Sequence, residues 1–131
     1  MASSRQAGDA LKGFTRLVNQ KRVNDYADAS GDYNPIHLNE SYAADTPFGT
    51  RIAHGMLSLA LVSEMLMTEF PDTWHDGGSI KVRFTAPVFP GETVETYGKI
   101  VSIDNSSGRL IATCQIWCKK PDGTDAVVGR A

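Results

Sequence analysis

One segment constrains this chain more than any other. Residues 54–70, HGMLSLALVSEMLMTEF, contain no proline and are rich in Leu and Met, both good helix formers. Apolar side chains fall almost all round the expected helix, at Met56, Leu57, Leu59, Ala60, Leu61, Val62, Met65 and Leu66. A helix patterned in this way has to be buried on most of its sides. Pro71 ends it. Ser58, Ser63 and Glu64 interrupt the apolar run, which falls short of the roughly 20 residues needed to cross a bilayer. The rest of the chain must therefore wrap this helix.

The wrapper lies downstream. From Gly77 onward the apolar period drops from about 3.6 to 2. In GSIKVRFTAPV, Ile80, Val82 and Phe84 alternate with Lys81, Arg83 and Thr85; ETVETYGKIVSI, LIATCQIWCKK and DAVVGRA come next. The connections FPGE, DNSSGR and KPDGTD carry turn chemistry. A run of antiparallel strands with one face to bury, and one apolar helix to cover it, gives an α+β class. The economical arrangement is a hot-dog fold, an antiparallel sheet wrapped around one long central helix.

Upstream, residues 1–12 are mostly small and polar and are expected to form a flexible segment, with a single domain over 13–131. A short strand is expected over Gly13–Val18. NQKRVNDYADASG predicts a helix with Asn19 as N-cap and Gly31 as the stop. Residues 32–53 are expected to be mostly irregular, with one helical turn at NESYAAD capped by Asn39. Loops this long inside compact domains are often functional.

Charge and composition remove several functions. A net charge of −2 with mixed signs gives no basic stripe for nucleic acid. There is no Gly-rich phosphate loop, and His37, His54 and His75 lack zinc-ligand spacing, so no metal is expected. Cys114 and Cys118 lie on one expected strand, about 13 Å apart, against the roughly 7 Å limit of a disulfide. Two free thiols, no apolar core of signal-peptide length and no membrane partner suit a cytoplasmic protein. Lys81 and Arg83 share the polar face of a strand and are expected to be solvated.

The stretch GDYNPIH, residues 31–37, carries the chemistry. Pro35 pushes Asn34 out of the α region and stiffens the turn, so that Asp32 and His37 project from either side of it. A carboxylate and an imidazole held close can share one water, the minimum apparatus for general acid–base work. The same residues could serve only as turn and capping groups. Downstream, Gly55 opens the long helix, where backbone N–H groups lack intrahelical acceptors and about half a positive charge accumulates. That end could hold a carbonyl oxygen that gains charge, or Gly55 could simply ease the chain into the helix. Ser63 returns near the Gly55 face about two turns later, either back-bonded to a carbonyl or lining a polar spot. His54 is read as a cap or a packed ring.

YADASGDYNPIH (26–37) with FGTRIAHGML (48–57) resembles the MaoC-like, or (R)-specific enoyl-CoA hydratase, family of hot-dog proteins. The resemblance implies addition of water across a trans-2-enoyl thioester to give an (R)-3-hydroxyacyl product, and the reverse dehydration. It implies Asp32 and His37 as the catalytic pair, the Gly55 amide as the donor to the thioester oxygen, and Asn34 and Ser63 as supporting polar positions. It implies at least a homodimer whose sheets pair edge to edge. No cofactor is expected beyond the coenzyme A or phosphopantetheine of the substrate. The acyl chain is expected against the central helix, at Met56, Leu59 and Leu66. A dehydratase acting on carrier-protein thioesters, a non-catalytic thioester-binding protein and a thioesterase are the competing readings.

Overall fold

The computed structural model describes residues 5–105 and 108–131. Five antiparallel strands form one sheet in the order β1-β3-β4-β5-β2: β1 (Thr15–Val18), β2 (Lys81–Phe84), β3 (Glu92–Asp104), β4 (Ile111–Lys119) and β5 (Asp125–Arg130). The helices are α1 (Gln20–Ser30), α2 (Pro35–Leu38), α3 (Glu40–Ala44), α4 (Gly55–Glu69) and α5 (Trp74–Gly77). The period-2 pattern sets the sheet's two faces. Val94, Thr96 and Ile100 of β3, with Cys114, Ile116 and Cys118 of β4, are buried on the inner one. Leu57, Leu61, Val62, Met65 and Leu66 of α4 pack into the same core. Both cysteines are free and buried, and burial pushes the Cys118 thiol up to about 11.

A sheet has one concave face, so it covers one side of a helix. Met56 remains 54% exposed and Met67 39% on the opposite side of α4. The apolar pattern asks for burial on most sides, and a single copy of the chain supplies less than that.

The expected start of the domain at residue 13 is corrected. The Gly8 N–H donates to the Ile100 carbonyl at 2.7 Å and the Leu11 N–H to the Gly98 carbonyl at 2.8 Å, while Ala10 bridges Lys99. Leu11 is buried in the core, and Arg5 pairs with Glu69 at 2.7 Å. Gly98 makes the room: a Cβ there would lie 2.7 Å from the Leu11 side chain. Main-chain pairing with one apolar anchor leaves no periodic trace in the sequence.

α1 runs as its caps predict. The Asn19 side chain accepts a hydrogen bond from the Arg22 N–H at 2.8 Å, and Gly31 ends the helix at φ +79°. Removing that cap by Asn19→Ala is expected to lower unfolding stability by about 1 kcal/mol. Urea titration monitored by circular dichroism measures the loss.

Candidate active site

The left-handed turn at Gly31 releases Asp32, and a chain of short side-chain-to-backbone bonds shapes residues 32–36. The Asn34 N–H donates to Asp32 Oδ1 at 3.1 Å, and the Ile36 N–H donates to Asn34 Oδ1 at 3.1 Å. Asn34 is thus the N-cap of α2, with Pro35 in its first turn. The expected irregular segment therefore contains a further turn of helix, built from a cap residue and then a proline at a position whose N–H would go unused. Asn34 acts on its own backbone, shaping the turn that carries the two expected catalytic groups.

α2 presents His37, which is 9% exposed. Its Nδ1 lies 2.8 Å from the Ile52 carbonyl. A carbonyl only accepts, so Nδ1 carries the proton and the neutral ring keeps a lone pair at Nε2. That Nε2 faces Asp32 Oδ2 at 4.0 Å, with the Asp32 side chain half exposed. The gap is too wide for a direct hydrogen bond, and both groups can accept from one small molecule placed between them. Burial pushes the His37 pKa below its ordinary 6.5, and the neighbouring His54 ring pushes the same way; the Ile52 carbonyl and Asp32 partly oppose them. His37 is thus neutral at pH 7.

His54, at the N-cap of α4, has a larger part than its sequence position suggests. It is 2% exposed. Its Nε2–H donates to the Asp32 main-chain carbonyl at 3.0 Å. Its ring stacks on His37 with centroids 3.9 Å apart, and Tyr26 of α1 lies tilted against it at 4.9 Å. Tyr26, His54 and His37 form one ring cluster that ties α1, α2 and the start of α4 together. Donor atoms of Asp32, His37 and His54 lie within 4.8 Å of one another, a clustering that spacing along the chain did not show. One nitrogen of each ring is already committed to a main-chain carbonyl.

Gly55 sits next to His54 at the exposed start of α4. The Phe84 ring of β2 lies over it, 3.1 Å from where a Cβ would stand. No larger residue fits there without displacing that ring, and sequence reasoning missed Phe84 because only the sheet brings it to α4. Ser63 takes a different neighbour: Trp74 Nε1–H donates to its hydroxyl at 2.9 Å, linking α4 to α5. Of the three residues expected along an acyl pocket, Leu66 lines a cavity of about 480 Å3 shared with Phe70, Trp74, Ile103, Ile111 and Ala131. Met56 is exposed and Leu59 half-buried, and neither lines that cavity.

The profile of the MaoC like domain family matches residues 4–113. The chain belongs to the MaoC-like family. A 3-hydroxybutyryl-CoA dehydratase from Methylorubrum extorquens is 39% identical over 114 residues, covering 82% of this chain and 73% of that protein. An (R)-specific enoyl-CoA hydratase from Rhodospirillum rubrum is 40% identical over 81 residues, covering 62% of this chain and 56% of that protein. Among solved structures, the (R)-hydratase from A. caviae involved in PHA biosynthesis superimposes with a TM-score of 0.86 at 29% identity, covering 98% of this chain and 95% of the other. MaoC-like relatives named in this way are hydratases and dehydratases, enzymes of the hydro-lyase class, and the structural neighbour carries the expected hot-dog fold. No helix among the described residues is long and apolar enough to cross a membrane.

Proposed function

We propose that this chain adds water to trans-2-enoyl-CoA, giving (R)-3-hydroxyacyl-CoA, and catalyses the reverse dehydration. The observation that carries the proposal is the Asp32 carboxylate facing the His37 Nε2 lone pair across 4.0 Å, beside the N-terminus of α4. A water in that gap donates one hydrogen bond to each acceptor, which turns its oxygen lone pair outward, toward C3. As the C3–O bond forms, the C2=C3 electron pair moves onto the thioester, and its oxygen gains charge near the Gly55 amide. The pair takes one water proton and returns a proton to C2, so that H and OH are added and nothing is oxidised or reduced. No cofactor enters that balance. Asn34 keeps the Asp32–His37 turn in shape, and Ser63 accepts a hydrogen bond from Trp74, which lines the cavity beside Leu66.

A chain-length series of trans-2-enoyl-CoA substrates, with chiral analysis of the products, tests this. The expected result is (R)-3-hydroxyacyl-CoA; an (S) product, or release of free CoA from saturated acyl-CoA, overturns it. The same geometry serves a carrier-bound thioester, and kcat/KM for the two carriers separates them. Two copies of the chain would cover the open Met56 and Met67 side of α4, so light scattering is expected to give at least a dimer.

The reaction's pH dependence is set by His37. Its neutral form is the active one, and burial holds its pKa below 6.5. Lowering the pH removes that form only below the ordinary histidine range, so the acid limb of kcat/KM contributed by His37 is expected below pH 6.5. The sign for stability is the same: the unfolded chain takes up the proton first, so stability falls as pH drops below 6.5. A pH–rate profile on enoyl-CoA measures the limb.

A further inference from the structure

Asn19, Asn34 and Asn39 each cap the helix that follows them with a side-chain oxygen. His54 holds the same position at the head of α4 and makes no such bond. Its donor goes elsewhere: Nε2–H reaches the Asp32 carbonyl, 22 residues back in the chain, at 3.0 Å. Its ring lies on that of His37, with centroids 3.9 Å apart and 28° between the planes. One side chain therefore touches both members of the acid–base pair, Asp32 at the main chain and His37 at the ring. A carbonyl only accepts, so the proton of the His54 ring sits on Nε2. The other nitrogen, Nδ1, is buried with no hydrogen-bonding partner among the described residues. Leaving a buried polar atom unpartnered lowers stability, and Asn, Asp, Ser and Thr are the better helix caps. Neither the start of α4 nor the core explains a histidine here.

We propose that His54 is a positioning residue for the hydration, holding Asp32 by its main-chain carbonyl and His37 by its ring face so that the two acceptors meet at one water. The inference rests on the Asp32–His37 reading of the site and adds to it a side chain that acts through the pair. The pair itself creates the need. Asp32 Oδ2 and His37 Nε2 stand 4.0 Å apart, too far to hydrogen-bond, so neither group fixes the other. Each has its own anchor on a different segment: Asp32 Oδ1 accepts from the Asn34 N–H, and His37 Nδ1 donates to the Ile52 carbonyl. His54 links the two anchored groups. Tyr26 of α1 packs against the His54 ring and limits its swing. A misplacement of about 1 Å at a reacting group can lower a rate about 10²-fold, so a link of this kind bears directly on turnover. The charged groups that bear on His37 are Asp32 and His54, and His54 adds to burial in holding the His37 pKa down.

Two amide substitutions separate positioning from capping and packing. His54→Asn can cap α4 but is too short to reach the Asp32 carbonyl. His54→Gln places an N–H near the original Nε2. With trans-2-enoyl-CoA as substrate, His54→Asn is expected to lower kcat by about tenfold or more while KM stays within about twofold, the mark of an interaction that serves the transition state alone. His54→Gln should recover a large part of that kcat. Thermal melting checks that both chains are folded. A second readout needs no turnover. Proton–nitrogen NMR of the His37 ring in the free protein should show its titration moving to higher pH in His54→Asn, because one of the two causes that lower its pKa has been removed. Parental kcat in His54→Asn overturns the proposal. So does an equal kcat in the two variants, a loss that falls on KM instead of kcat, or an unmoved His37 titration. A His37 titration that moves as expected, in a protein that hydrates no enoyl thioester, overturns the hydratase reading and leaves the link between His54 and His37 standing.

Discussion

Asp32→Asn and His37→Gln are each expected to lower kcat for enoyl-CoA hydration by at least about 10²–10⁴-fold, the usual contribution of a positioned acid–base group. Asparagine keeps the Oδ1 that accepts from the Asn34 N–H, so the turn survives and only the charge and proton capacity are lost. Glutamine at residue 37 can still reach toward the Ile52 carbonyl that holds the ring, but it offers no titratable lone pair at the Nε2 position. Both groups act on one water, so the double variant should be little worse than either single one. Circular dichroism and thermal melting should show both variants folded. Full activity in either single variant would remove that residue from the mechanism, whatever the relatives are named.

A large effect on stability is expected away from these groups, at Gly129. A Cβ on this residue would stand 2.2 Å from the Lys81 carbonyl oxygen and 2.8 Å from the Val82 Cα. Both are main-chain atoms of the strand paired with it, so no side-chain rotation relieves the overlap. Gly129→Ala is therefore expected to push β2 off β5, at a cost toward the upper end of the roughly 1–3 kcal/mol typical of overpacking. Chemical denaturation would show a lower midpoint. Loosening β2 also moves Phe84 away from Gly55, so activity should fall beyond what the stability loss explains. A variant with the parent's denaturation midpoint would show that β2 does not depend on this close approach.

Much of the architecture was legible because it is written in local patterns. Asn19 and Gly31 bound α1, Asn39 caps α3, and Gly55 and the apolar run define α4. The switch to alternation marks β2 to β5, because side chains on a strand alternate between faces. Asp32, His37 and Gly55 could be picked out because a glycine stop, an Asn-Pro turn and a helix start are short-range signals. α2 was missed although its Asn-Pro pair is a capping signal, since the same dipeptide also serves open turns. The attachment of residues 8–11 to β3 was missed because it is made by main-chain groups that composition does not report.

What the sequence by itself determined is the set of parts: an apolar helix, an alternating sheet to cover it, and an acid and an imidazole on a stiff turn before the helix. Tertiary structure alone decided how those parts meet. It put Nε2 of His37 4.0 Å from the Asp32 carboxylate, laid the His54 ring on His37, brought Phe84 over Gly55, turned Ser63 toward Trp74 and set Lys81 opposite Arg130. The division has one cause. Helix periods, caps and turns depend on a few consecutive residues, whereas each of these contacts depends on the crossing of elements distant in the chain or on the orientation of a ring, which sequence spacing does not encode.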